Sequence, residues 1–216
     1  MSKLPVVVLI SGGGTNLQAI IDSAQADLPV EIKAVISNKA GAYGLKRAEM
    51  AGIPTAVLEH QQFSSREDFD QALAELIDRY EPKLVLLAGF MRILSPGFVR
   101  HYQGRMLNIH PSLLPKFQGL HTHERALEAG EEQHGASIHF VTEELDGGPI
   151  ILQATVPVQQ QDDADTLAAR VLEKEHLIYP LAVRWFAQGR LTLENDHALL
   201  DGKVLQAPVQ LDQVQD

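Results

Sequence analysis

Unbroken apolar runs alternate with amphipathic segments through the first hundred residues. Residues 6–11 (VVVLIS) show no polar alternation, which predicts a strand buried on both faces. Residues 16–26 (NLQAIIDSAQA) place Leu17, Ile20 and Ile21 on one face of a helix. A second strand follows at 31–37 (EIKAVIS), then a short helix at 44–52 closed by Gly52, and a third strand at 54–59 (PTAVLE). Residues 65–80 read as a long helix capped by Ser64 or Ser65, with an apolar stripe of Phe69, Leu73, Leu76 and Tyr80. Residues 83–89 (KLVLLAG) form a fourth buried strand. This rhythm predicts right-handed βαβ units and a parallel sheet, with functional groups at the carboxyl ends of its strands.

The second half has a different pattern. A strand at 106–110 (MLNIH) runs into an irregular stretch at 111–123, then a short helix at 124–130 and a strand at 136–142. In residues 148–158 (GPIILQATVPV), Leu152, Ala154 and Val156 alternate with Gln153 and Thr155, which suits an antiparallel edge strand. Residues 165–189 predict a long helix capped by Asp165 or Thr166, kinked at Pro180 and ended by Gly189. Asp201-Gly202 marks the turn of a terminal hairpin within 191–206, and 207–216 read as a frayed tail. The expected fold class is therefore α/β. It is a Rossmann-like, mostly parallel twisted sheet flanked by helices, with an antiparallel edge in the C-terminal half. One continuous domain over 1–216 is expected, with an N-terminal half at about 1–102, a C-terminal half at about 103–190, and a hairpin and tail at 191–216.

Composition narrows the function. A formal net charge of −10 argues against nucleic acid, whose phosphates are held by clustered Lys and Arg. It leaves room for a small anion bound by backbone N–H groups. The absence of cysteine rules out disulfides, thiolate metal sites and a Cys nucleophile. The apolar run near the N-terminus is too short for a signal peptide, and no stretch has the length of a membrane span. A cytoplasmic protein acting on small molecules is expected, with homo-oligomerisation left open.

Three stretches carry candidate chemistry. Between the first strand and first helix, Gly12-Gly13-Gly14 lets the backbone approach a ligand, and Thr15 and Asn16 sit at the helix N-terminus, where an anion is favoured. The dinucleotide pattern fails, because Leu17 stands where its third glycine belongs, and no Gly-Lys-Ser/Thr follows for a P-loop. The loop suits a single phosphate group, or else only a tight turn. Asn108 and His110, two apart in a strand, face one side at its carboxyl end, where Pro111 stops the ladder. Asp146 precedes two glycines in a turn that leads into the next strand. A carboxylate beside His110 would orient the imidazole and favour its protonated form, while the Asn108 amide could donate to a developing oxyanion. The three suit acyl-type transfer in which the nucleophile belongs to a substrate.

The stretches SGGGTNLQAI, AGFMRILSP, LNIHPSLLPKF, GLHTH and HGASIHFVTEELDGGPIILQ together resemble the folate-dependent phosphoribosylglycinamide formyltransferases, over nearly the whole chain to about Gly189. Asn…His…Asp alone is shared with other tetrahydrofolate formyltransferases and with the 10-formyltetrahydrofolate hydrolase; the glycine loop narrows the likeness. The hydrolase is expected to carry an extra regulatory domain, and the methionyl-tRNA enzyme a tRNA-binding one, for which 216 residues leave no room. The resemblance implies transfer of a formyl group from 10-formyltetrahydrofolate, as co-substrate and without a metal, to the amine of phosphoribosylglycinamide in purine synthesis. It implies Asn108, His110 and Asp146 as the catalytic set. Gly14, Thr15, Asn16 and Glu175 would hold the ribonucleotide. Arg66, Met91, Arg92, Ile93, Leu94 and Asn108 would bind the folate, with Thr142, Glu143, Glu144, Leu145 and Asp146 closing the pocket. Gly13 and Thr15 stand where the family suggests Asn and Ser, changes that keep a small loop presenting N–H groups.

Other polar residues are read more plainly. His121 and His123 have a metal-like spacing but lie in a loop with no acidic partner in register. Glu143 and Glu144 are otherwise solvated acids, and His139, Trp185 and Phe186 are structural. Beside the transferase stand two other readings: a formyltetrahydrofolate hydrolase, and a non-enzymatic phosphosugar-binding regulator that would use the glycine loop but not Asn108, His110 and Asp146.

Overall fold

In the computed structural model, which describes residues 2–215, the apolar run at the start becomes strand β1 (Leu4–Ile10). Val6 to Leu9 are wholly inaccessible to solvent, as expected where helices cover both faces of a parallel sheet. The chain divides into two compact units that meet in sequence between Asn108 and Ile109.

In the first unit, β1 is followed by α1 (Thr15–Ala26), β2 (Val30–Ser37), α2 (Tyr43–Met50), β3 (Thr55–Val57), α3 (Arg66–Asp78), β4 (Leu84–Leu87) and α4 (Pro96–His101). The last strand, β5 (Met106–His110), starts here and ends two residues into the second unit. The strand order is β3-β2-β1-β4-β5, and every pairing is parallel. Ser65 caps α3, its hydroxyl accepting the Asp68 N–H at 3.1 Å. The buried residues of α3 are Phe69, Asp70, Leu73 and Ile77. Leu76 is only partly covered and Tyr80 lies beyond the helix end, so the expected stripe is corrected by one residue. The sequence reading passed over α4, although it carries a Ser95 cap and Pro96 in its first turn. Its six residues are too few to show a helical period.

The second unit holds α5 (Thr122–Glu128), β6 (Gln133–Phe140), β7 (Ile150–Pro157), α6 (Ala164–Ala187), β8 (Leu191–Glu194), β9 (His197–Leu200), β10 (Lys203–Val204) and β11 (Val209–Gln210). β6 and β7 are antiparallel, with a register shift at Ile138/His139, and α6 packs on both. The expected antiparallel pairing is present, but β7 is not an edge. Val209 and Gln210 of β11 pair with Leu152 and Gln153 on its outer side. The tail expected to fray is thus a strand followed by a 3-10 turn at Leu211–Gln213. The terminal hairpin is a three-stranded meander, β8-β9-β10. Asn195-Asp196 and Asp201-Gly202 form its two turns, all four residues at positive φ, as type I′ turns require. α6 is capped by Asp163, not by Asp165 or Thr166. Its carboxylate accepts the Thr166 N–H at 2.8 Å, and the Thr166 hydroxyl accepts the Asp163 N–H at 3.0 Å. The helix continues through Pro180. No described helix is long and apolar enough to cross a membrane.

Candidate active site

In the first unit, the glycine loop is held from below by α2. Gly12 C=O accepts the Gly44 N–H at 3.0 Å, and Gly13 C=O accepts the Arg47 Nε–H at 2.7 Å. Gly14 is the N-cap of α1 with φ 74°, and a Cβ there would stand 2.6 Å from Gly44 Cα. Glycine is therefore required at 14 by both conformation and contact. Gly12 and Gly13 have open space around their Cα atoms. α1 has no side-chain cap and no acidic residue in its first turn, where Thr15 and Asn16 lie, so its N-terminus suits an anion. A pocket of about 630 Å³ opens beside the loop, lined by Ser11, Gly12 and Gly13 with Asn38, Tyr43 and His60 among others.

Ser11, unremarked in the sequence, ties three segments together. Its hydroxyl donates to Asn38 Oδ1 at 2.5 Å and accepts the Met91 N–H at 2.8 Å, while Asn38 Nδ2 lies 3.3 Å from His60 Nδ1. Ser11 and Asn38 are both buried. The segment 91–94 is thereby hung from the end of β1. Met91 and Ile93 are largely exposed, Leu94 is partly covered, and Arg92 places its guanidinium 5.1 Å from the centre of the Phe69 ring. Arg66, in the first turn of α3, is exposed and lies 3.7 Å from Glu67. Ser11→Ala takes a donor from the buried Asn38 Oδ1 and an acceptor from the part-buried Met91 N–H, and is expected to cost about 1–3 kcal/mol of stability. Denaturant titration of the variant beside the parent protein measures it. An unchanged unfolding free energy would refute the tie.

The second unit contains the imidazole and the carboxylate. His110 closes β5; Asn108, two residues earlier on the same strand, is half-buried. Asp146 sits in the turn between β6 and β7 at φ 50°. The His110 and Asp146 side chains are each only 8 % exposed, and Nδ1 stands 3.6 Å from Oδ1. His110 Nε2 lies 2.8 Å from the Phe117 carbonyl, which can only accept, so Nε2 carries a proton. With a proton on Nδ1 as well, the ring would face an acceptor on both sides. The Asp146 carboxylate is fixed by the Gly119 N–H at 2.8 Å, and its carbonyl accepts Gln118 Nε2 at 3.2 Å. The structure thus brings His110 and Asp146 together and adds three partners that sequence reasoning did not identify, two of them backbone groups with no side-chain signal. Thr142 is half-buried, and Glu143, Glu144 and Leu145 are exposed on the same turn as Asp146. Glu175 is buried on α6.

Further histidines line this unit. His123 Nδ1 lies 3.1 Å from His134 Nε2, with the rings edge to face. No group of three or more potential metal ligands occurs among the described residues. Burial, together with the charges of His123 and His110 and against that of Glu131, pushes His134 down to about 4. Burial likewise lowers His123 and His139. The unfolded chain takes up these protons first on acidification, so stability is full above about pH 6.5 and falls toward pH 4. The His134 contribution is on the order of 1–3 kcal/mol. His134→Gln is expected to flatten the slope of unfolding free energy between pH 4 and 6.5. An unchanged slope in denaturant titrations would contradict this.

The first unit thus carries a glycine loop that opens α1, and the second a histidine at the end of β5 paired with a shielded carboxylate. The formyl transferase family model matches residues 4–183, and the chain belongs to that family. Within it, the chain's place is among the phosphoribosylglycinamide formyltransferases. The phosphoribosylglycinamide formyltransferase of Escherichia coli K12 is 59 % identical over 201 residues, 93 % of this chain and 95 % of that protein. The Haemophilus influenzae protein of the same name is 51 % identical over the same shares. The solved phosphoribosylglycinamide formyltransferase of Coxiella burnetii superposes with a TM-score of 0.94 at 57 % identity, covering 97 % of this chain and 99 % of that one.

Proposed function

We propose that this formyltransferase moves the formyl group of 10-formyltetrahydrofolate to the amine of 5-phosphoribosylglycinamide in purine synthesis. The observation that carries the chemistry is the buried His110–Asp146 pair at 3.6 Å. The substrate amine attacks the formyl carbon, a new C–N bond forms, and charge gathers on the formyl oxygen. Asn108 donates its amide N–H to that oxygen. His110, oriented by Asp146, gives up the Phe117 carbonyl and donates Nε2–H to the same oxygen. The bond to the folate nitrogen then breaks, and a proton lost by the amine reaches that nitrogen through water. Each oxyanion donor can contribute roughly 10²–10³-fold, and proton transfer roughly 10²–10⁴-fold. No metal is assigned a part.

Gly14, Thr15 and Asn16 hold the phosphate in this reading, and Glu175 meets the ribose or the glycinamide end. Met91, Arg92, Ile93, Leu94 and Thr142 to Asp146 contact the folate in this reading, and Arg66 approaches its carboxylates. Residues 1–216 act as one formyltransferase domain, and a cytoplasmic setting fits its small-molecule substrates. The test is spectroscopic: deformylated folate is expected only when ribonucleotide and 10-formyl folate are both present. Release of formate without the ribonucleotide would replace this reading with a hydrolase.

A further inference from the structure

We infer that Arg47 is a positioning residue for the ribonucleotide's phosphate, acting through the peptide groups of the glycine loop. The inference rests on the phosphate-binding reading given above and assigns the device that prepares the loop for it.

A trans peptide points its C=O and its N–H in opposite directions. The Gly12 carbonyl is pinned by the Gly44 N–H at 3.0 Å, which turns the Gly13 N–H away from α2. The Gly13 carbonyl is pinned by Arg47 Nε at 2.7 Å, which turns the Gly14 N–H away from α2. Gly44 and Arg47 are three residues apart on one helix, so they lie on the same face, one turn apart. They hold two consecutive carbonyls and leave two consecutive N–H groups facing outward. No hydrogen bond among the described residues uses either of these N–H groups. Together with the uncapped first turn of α1, they form a set of donors suited to phosphate oxygens.

The two pins differ in kind. The Gly44 contact is enforced by packing: a Cβ at Gly44 would stand 2.4 Å from Ile10 Cδ1, so backbone and core leave it little freedom. The Arg47 contact is a side-chain bond across 34 residues of sequence, steadied by the Tyr43 ring 5.0 Å beneath the guanidinium and by Gln18 Oε1 at 3.5 Å. Gly13 has open space around it and no positive φ. Without Arg47, its peptide is the one free to rotate, and rotation would present a carbonyl where the phosphate needs a donor.

Three variants separate geometry from charge. Glutamine places its amide nitrogen the same number of bonds from Cα as the arginine Nε, so Arg47→Gln keeps the donor and loses the charge. Arg47→Met loses both. Arg47→Lys keeps the charge and moves the donor. Each is assayed for kcat/KM with the ribonucleotide and with the riboside that lacks the phosphate. The parent protein must first favour the ribonucleotide; if it does not, the phosphate reading itself fails. Given that preference, Arg47→Met is expected to raise the ribonucleotide KM roughly tenfold or more, with kcat within about threefold and riboside kcat/KM unchanged. Arg47→Gln is expected to recover most of the loss, and Arg47→Lys less. The proposal is overturned if Met matches the parent protein, if Gln is as poor as Met, or if the riboside loses as much as the ribonucleotide. The riboside rate also reports whether each variant is folded.

Discussion

Asp146→Asn is expected to lower kcat roughly 10³-fold while changing each substrate's KM by a few-fold at most. The substitution is nearly isosteric, and the amide oxygen can still accept the Gly119 N–H that now binds Oδ2 at 2.8 Å. The turn therefore keeps its anchor. What disappears is the negative charge 3.6 Å from His110 Nδ1, in a place where both side chains are shielded from water. Shielding makes that charge count for more than it would at the surface. Without it, the charged partner of the ring is gone, and Nε2 keeps the Phe117 carbonyl as its acceptor. Steady-state kinetics with both substrates, beside a thermal melt showing an intact fold, measure the effect. Turnover near that of the parent protein would remove Asp146 from the mechanism.

Gly148→Ala should damage stability and catalysis together. A Cβ at 148 would sit 1.8 Å from the Phe140 carbonyl oxygen and 3.1 Å from Thr142 Cγ2. Neither neighbour is the free end of a long side chain, so the backbone must move. The Phe140 N–H to Pro149 carbonyl bond, 3.0 Å, closes the turn at this point and would be strained or lost. The expected cost is about 2–4 kcal/mol, a fall in Tm of roughly 5–15 °C for a chain of this size. Asp146 lies two residues upstream, and a shift of about 1 Å there is worth roughly 10²-fold in rate. Calorimetry and kcat on the same preparation test both parts. A variant with normal Tm and normal kcat would mean that the turn is far softer than its contacts imply.

Local patterns in the sequence were enough to place the pieces of the site. β1, the three glycines, and Asn108 and His110 two apart before Pro111 are contiguous signals whose periods identify them. The 35 residues between His110 and Asp146 carry no signal that fixes the distance between the two, although each could be placed at the rim of the sheet. Phe117 C=O and Gly119 N–H are backbone groups that any residue would supply. Ser11 and Arg47 are ordinary residue types whose importance lies in what the fold brings to them. The α6 cap was misplaced because three acids within 162–165 compete, and only the reciprocal bond with Thr166 selects Asp163. β11 is two residues long, too short for alternation to show.

That short strand decides how much of the sheet's margin is open. β7 offers an alternating apolar face and would, left bare, present a row of unused N–H and C=O groups to any neighbouring chain. Val209 and Gln210 occupy part of that row, and Gln210 Nε2 fastens the tail to Gln153 Oε1 at 3.2 Å. Gln153 in turn donates to the Leu114 carbonyl, four residues beyond the His110 imidazole. β11 therefore covers part of an edge that would otherwise be open to another strand, and its anchor is shared with the loop that leaves His110.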